Sequence, residues 1–414
     1  MFRSLRYRNF RLFFFGQFAS LCGSWMQQTA QSWLVYRMTR DPMMLGLVAF
    51  LGQFPVFLLG FYAGSLADRS DRLAIVRWTQ ALALLQALAL ALLAWGGWIQ
   101  VWQVLLLAFL FGAINAFDMP ARQVLIGELV EVKDRHNAIA LNSTIVNASR
   151  ILGPALAGLL IVWAGEWACF AANAASFFSV LWALCLIRGM RPAPPASSRP
   201  LWEEIGNGVA YALGRAPIRL VLLLLAVFSL AGLPIYVLLP VFAEEVLHSG
   251  AKGLGILSAF SGLGSTLGAL RLAGRASPKD LGPVIMRGLV LFGLSLAGLA
   301  LSASFRLSCG LMGLAGWSAI NILAGVNALL QELSSDAFRG RVMSFYSMTF
   351  IGLAPVGSFL VGSLASRLGV SGTVLAQAGI CAIVGMALYR RLPELLRREW
   401  PRRPHEPPAV FPAL

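Results

Sequence analysis

Charge is scarce along this chain: Asp, Glu, Lys and Arg make up 12% of its 414 residues, against 58% hydrophobic ones. A soluble fold of that length would lack the polar surface that water demands. Histidines number only three, and His136, His248 and His405 all fall outside the apolar runs. The five cysteines, Cys22, Cys169, Cys185, Cys309 and Cys381, stand singly, with no CxxC pair or His spacing for zinc. They read as small core residues, and no metal site is expected. Also missing are a GxxxxGK[ST] phosphate loop, HExxH, G-x-S-x-G and paired carboxylates at depth. ATP as the direct drive is thereby excluded, a membrane enzyme has no footing, and no cofactor is expected.

What the chain has instead is hydrophobic length. Twelve apolar stretches of about 20 residues follow one another, the first near 12–36, the fourth near 99–119 and the last near 370–389. Each is long enough as helix for about 30 Å of hydrocarbon. Barrel strands would be half as long and would alternate, which these do not. The first stretch has no small-residue cleavage pattern and exceeds a signal h-region, so it reads as a retained helix. The expected fold is an all-α membrane protein with twelve transmembrane helices in two six-helix halves.

A net charge of +15 would suit nucleic acid, but 27 of the 33 lysines and arginines cluster before the first helix, at every second loop and in the tail. By the positive-inside rule both termini are then cytoplasmic, and the charge is topological rather than a nucleic-acid surface. The expected partners are the lipid bilayer and a small-molecule solute.

The two sets of six echo one another at a shift of 204 residues: Gly60 and Gly64 meet Gly264 and Gly268, Arg135 meets Arg339, Gly153 and Gly158 meet Gly357 and Gly362. A duplicated six-helix unit is the arrangement in which a solute site lies between halves that rock against each other. The halves read as residues 1–187 and 217–391. A Pro-rich, then amphipathic, linker at 188–216 joins them on the cytoplasmic face, with Trp202, Val209, Tyr211 and Leu213 facing the interface. The Arg- and Pro-rich tail, 392–414, carries too little apolar content to pack. Glycines number 41 and many are mid-helix, either for helices that slide or for static close packing.

Between the second and third helices, Gly64 to Arg72 reads GSLADRSDR. It resembles the signature loop of the major facilitator superfamily, G-x-L-A-D-R-x-G-R-R, with Gly64, Leu66, Ala67, Asp68, Arg69 and Arg72 matching. Asp71 stands where the family has Gly, and Leu73 where it has a last basic residue. The resemblance implies a gate latch that clasps helix ends and opposite charges on the other half. In the fifth helix NASRILGPALAG, with Arg150, Gly153, Pro154 and Gly158, resembles the Gly-Pro motif of exporters in this superfamily. Pro154 removes an amide donor and frees the carbonyl of Arg150. Residues 9–36, 115–130, 138–158 and 239–255 together look like the branch that includes the enterobactin exporter and predicted drug efflux permeases. The resemblance implies a monomeric, proton-coupled exporter working by alternating access.

Arg150 lies about 20 Å into the fifth helix at 1.5 Å per residue, near the midplane. A charge there costs several kcal/mol unless paired or hydrated. It either faces a wet cavity and meets an anionic group of the solute, or caps carbonyls freed by Pro154. Asp118, read as about one turn from the end of the fourth helix, is a latch partner with Arg122 for Arg69 or Arg72, or the proton-coupling carboxylate. Glu332, Asp336, Arg339 and Arg341 would mirror the latch. Gln17, Gln28 and Gln31 make a polar stripe on the first helix, for cavity lining or interhelical hydrogen bonds. Asn115, Asn142 and Asn147 are further cavity candidates. The favoured reading is a secondary exporter of a bulky amphipathic molecule; uptake of a small organic solute and a non-transporting sensor on the same fold are the alternatives.

Overall fold

The computed structural model describes residues 2–187, 211–212, 214–274 and 281–399. Among them twelve long helical elements follow in order: α1 Arg8–Thr39, α2 Pro42–Arg69, α3 Arg72–Trp95, α4 Val101–Glu128, α5 Arg135–Ala164, α6 Glu166–Cys185, α7 Ala216–Val246, α8 Gly250–Ala273, α9 Leu281–Leu301, α10 Phe305–Leu333, α11 Asp336–Leu368 and α12 Val370–Glu399. Eleven of them carry a segment long and apolar enough to cross a membrane. The remaining one is α1, whose glutamines lower its hydropathy although its 32 residues exceed a bilayer's thickness. Short connections make neighbours antiparallel, so one end of the bundle bears the start of α1 and the end of α12, and the other is the far end.

Within the first half α1 packs on α5 and α6, α2 on α4, and α3 on α4 and α6. In the second, α8 packs on α10, and α9 on α10 and α12. The halves meet along two seams, α2 with α11 and α5 with α8.

Duplication is visible in the contacts themselves. Tyr7 and Tyr211, 204 residues apart, each reach the turn before a helix: Tyr7 donates to Asp134 at 2.9 Å, and Tyr211 meets Ser335 at 3.2 Å before α11. Arg135 donates to the Gly127 carbonyl as Arg339 does to that of Gln331. In α2 and α8, however, the shift is 209. Gly46 meets the Ser358 carbonyl as Gly255 meets that of Pro154, and Gly362 meets Pro42 as Gly158 meets Ala251. The pairing of Gly60 and Gly64 with Gly264 and Gly268 is therefore a match of letters, not of places. The five extra residues enter before α8, where α7 departs from regular helix in two π-helical turns, Phe228–Gly232 and Phe242–Val246, around Pro234 and Pro240. The Gln377 side chain of α12 donates to the Ala231 carbonyl within this stretch at 2.7 Å, satisfying a backbone group that lipid could not.

Two expectations on boundaries change. Helix α4 runs through Pro120 to Glu128, well past residue 119, so Asp118 lies ten residues inside its end rather than one turn. Helix α12 continues to Glu399, eight residues into the stretch read as an unpacked tail, and Leu392 is fully buried. Most of the 188–216 linker, including Trp202, Val209 and Leu213, and the tail beyond 399 lie outside the described residues. Tyr211 is described, and its ring stacks on Phe338 with centroids 4.2 Å apart.

Candidate transport pathway

Helix α5 locates the pathway, because one of its faces changes character along its length. Toward the far end Ala157, Gly158 and Ile161 are buried, with Gly158 against Gly255 of α8. About two to four turns nearer the termini the same face carries Ser143 and Arg150, both exposed, and half-buried Asn147. The opposite face shows Leu152, Leu156, Leu159 and Trp163, as a lipid-facing surface should. So α5 packs on α8 from Gly158 down to Ile151 and the Arg150 carbonyl, which meet Gly262, while the face that carries the Arg150, Asn147 and Ser143 side chains is open.

Both seams close at the far end by the same device. A Cβ at Gly46 would lie 2.5 Å from the Ser358 carbonyl oxygen, and one at Gly255 2.5 Å from that of Pro154. Only glycine permits such backbone approach. Phe50 of α2 adds a ring contact to Phe359 of α11 at 6.0 Å. Across the top, the Tyr36 hydroxyl of α1 donates to Glu245 of α7. Arg40 reaches Glu244 at 3.2 Å and lies over the Tyr36 ring at 5.6 Å. Its hydrogen bond to Glu244 raises the Arg40 guanidinium above its ordinary value. Arg40 holds this place in the left-handed region, at φ 50°. Arg37 anchors the helix end within its own half, 2.9 Å from Glu166 of α6.

At the terminus-bearing end a methyl group at Gly60, Gly64 or Gly340 would meet nothing within 4 Å. Among the described side chains of the signature loop, none forms a hydrogen bond or ion pair with the second half. Leu66 is half-buried, Ala67 is buried, and Asp68 occupies the last turn of α2 with Arg69, which is exposed and pairs with no described residue. Asp71, the departure from the family's Gly, caps α3 by accepting from the amides of Leu73 and Ala74. Arg72 pairs with Glu128, the last residue of α4, inside the first half. In the second half Asp336 pairs with Arg339 at 2.7 Å on the same helix, Arg341 lies over the Phe338 ring at 5.0 Å, and Glu332 is exposed.

Asp118 is buried within the first half and fully used. It accepts from Thr79 at 2.8 Å and Gln80 at 2.9 Å, and pairs with Arg122 at 2.9 Å. It contacts neither Arg69 nor Arg72. A second buried chain runs from Asn173 to Gln27 to Gln86 to the Leu107 carbonyl, tying α6, α1, α3 and α4 together at 2.9 to 3.1 Å. The polar stripe of α1 thus divides. Gln27 and buried Gln17 face the helix core of the half, Gln31 is buried, and Gln28 is exposed. Asn115 and Asn142 are half-buried; Asn147 donates to the Ser143 carbonyl.

Arg150 makes no hydrogen bond to the carbonyls near Pro154 among the described residues. Its guanidinium lies 5.3 Å from the Trp25 ring centroid, while Gly153 packs against Trp25 and the Cys22 carbonyl, fixing α5 on α1. Glu128, Glu244, Glu245 and Tyr36 are the pathway residues that sequence reasoning left unassigned as gate partners. Charge complementarity could have found the far-end pair: Arg37 and Arg40 share their side of the bundle with the only adjacent acidic pair in a far turn, Glu244 and Glu245. Nothing local marks Glu128, since its partner is 56 residues away.

Two repeated six-helix halves, joined at one end and parted at the other around a mid-span cation, define a multi-pass membrane transporter. The chain belongs to the transmembrane secretion effector family of the major facilitator superfamily, whose model matches residues 1–411. It is 28% identical over 390 residues to the staphyloferrin A transporter of Staphylococcus aureus, covering 92% of this chain and 95% of that one. To macrolide efflux protein A of Streptococcus pyogenes it is 25% identical, over 92% and 97% of the two chains. Its fold matches a bacterial homolog of the human lysosomal transporter Spinster, solved inward-facing and unoccupied, with a TM-score of 0.74 at 14% identity over 96% and 99% of the chains.

Proposed function

We propose that this protein exports a bulky amphipathic small molecule, siderophore-like or drug-like, across the cytoplasmic membrane by alternating access. The observation that carries the reading is the face of α5 that is packed at Gly158 and open at Arg150. Such a wedge between halves holds a solute reached from one side only. The density of Lys and Arg at the open end supports placing that end, with both termini, in the cytoplasm. Export then begins from the open mouth, which loads solute from inside the cell. Siderophore and drug transport by relatives of nearly equal length supports the size and character of the cargo.

On this reading the closed far end parts when the exposed charges of the signature loop engage the other half. Arg69 is placed to do so, as it has no described partner to give up. Protons supply the drive, and the monomer is the working unit. Inside-out vesicles carrying the protein, with an acid interior, test the whole: siderophore-like or macrolide-like probes should accumulate and an uncoupler should abolish the accumulation. Accumulation only in right-side-out vesicles would instead make the protein an importer.

A further inference from the structure

The charge inventory of the space between the halves goes further than the transport reading on which it rests. Among the residues whose side chains the structure describes, every carboxylate is either at a helix end or in use. Asp41 and Asp71 cap α2 and α3. Glu128 and Asp336 pair with arginines of their own halves, and Glu131 with Lys133. Asp134 accepts from Tyr7. Glu166, Glu244 and Glu245 belong to the far-end contacts. Exposed Glu332 is in the final turn of α10, at the rim, and Glu394 lies beyond the last span. Asp118, the one carboxylate at depth, is 2% exposed and held by Thr79, Gln80 and Arg122.

Against that, Arg150 is an exposed cation near the middle of a 30-residue helix, on the face between its neighbours α1 and α8 and opposite the leucine-lined lipid face. The α1 side is marked by Gly153 against Trp25, and the α8 side by the Arg150 carbonyl and Ile151 against Gly262. The guanidinium lies over an aromatic face and, among the described residues, pairs with no carboxylate and donates no hydrogen bond, so its in-plane donors are available to a solute. Exposed Gln28, half-buried Asn147 and the Ser143 hydroxyl, which is committed to the Ile139 carbonyl, are uncharged. A cationic solute would meet like charge and no counter-ion at this depth. An anionic one would supply the missing partner.

We propose that the solute is an anion, carrying a carboxylate or similarly planar oxyanion that Arg150 binds between α1 and α8, with its apolar part against Trp25. Arg150 is then a specificity-determining residue, and cationic compounds are poor cargo for this chain.

The test uses the full-length protein in proteoliposomes and three probes on one aromatic scaffold: a carboxylate, its neutral amide and the corresponding amine. Binding is read from quenching of tryptophan fluorescence, and transport from accumulation. The wild type should bind the carboxylate about tenfold or more tightly than the amide, the factor of one charge-assisted hydrogen bond, and should move it faster. Arg150→Gln should erase that preference, bringing carboxylate binding down to the level of the amide, and Arg150→Lys, which keeps the charge, should retain most of it. Equal binding of all three probes, or an equal loss of all three in Arg150→Gln with Arg150→Lys intact, would overturn the anion assignment and leave the transporter reading standing. Failure of every probe to bind or move with the folded wild type would overturn both.

Discussion

The two ends of this bundle are built from the same helices and do opposite things. At the far end, α2 meets α11 and α5 meets α8 through glycines at which a Cβ would lie only 2.5 to 2.9 Å from the opposing carbonyl oxygen, and Tyr36, Arg40, Glu244 and Glu245 tie α1 to α7. At the terminus-bearing end a Cβ at Gly60, Gly64 or Gly340 would meet nothing within 4 Å, and the ion pairs of Arg72 with Glu128, Arg122 with Asp118 and Arg339 with Asp336 each stay within one half. The contrast locates the energetics. Closure at the far end rests on close backbone packing with a thin polar latch, whereas the ion pairs of the open end form within one half and Arg69 pairs with no described residue. On the proposed reading, moving to the opposite state breaks glycine contacts at one end and forms charge contacts across the halves at the other, a cost offset by a gain, so that a few kcal/mol tip the balance.

Breaking the satisfaction of charge inside the first half should have the largest effect. Asp118→Asn leaves Arg122, only 18% exposed, without its anion. We expect a loss of about 3 kcal/mol in stability, read as a lower unfolding temperature in detergent. Unchanged stability with a flattened pH dependence of transport would instead make Asp118 the proton-coupling group. Next comes the far seam itself. Gly158→Leu places side-chain bulk where a Cβ alone would be 2.9 Å from the Ala251 carbonyl, and should cost the closed far end about 2 kcal/mol. Cysteine-labelling rates at far-end residues should rise, and those at Ser143 should fall.

How much of this was legible beforehand depends on the range of the interaction. Helix number, the polar stripe of α1 and the mid-span position of Arg150 follow from local pattern, because lipid punishes each unsatisfied group within the helix that bears it. The repeat was legible at α5 and α11 but not at α2 and α8. There, five residues taken up before α8, where α7 leaves regular helix, shift the register, and the glycine letters of GxxxG spacing match at the wrong places. The helical continuation past Pro120 was hidden because proline in a membrane helix need not end it, its backbone losses being made good by neighbours. Partner choice was least legible: whether Gln27 lines a cavity or bonds to Gln86 and Asn173 depends on helices 59 and 146 residues away.

Smaller effects sharpen the comparison. Tyr36→Phe combined with Glu245→Gln removes one latch contact and should shift the balance toward far-end opening by about 1 kcal/mol, roughly fivefold in labelling rate. Asp336→Asn, on a pair whose acid is 91% exposed, should change stability by no more than about 0.5 kcal/mol. An unfolding temperature that drops as far as for Asp118→Asn would show that the second half stores its charge as tightly as the first.

The central claim, that the two ends open in alternation, is tested most directly by paired distance measurements between spin labels. One pair, at Lys133 and Ser335, spans the open end, and another, at Trp98 and Leu301, spans the far end; all four are exposed. Adding solute in proteoliposomes should shorten the first distance while lengthening the second, in the same fraction of molecules. Distances that both stay fixed, or that lengthen together, would contradict the account.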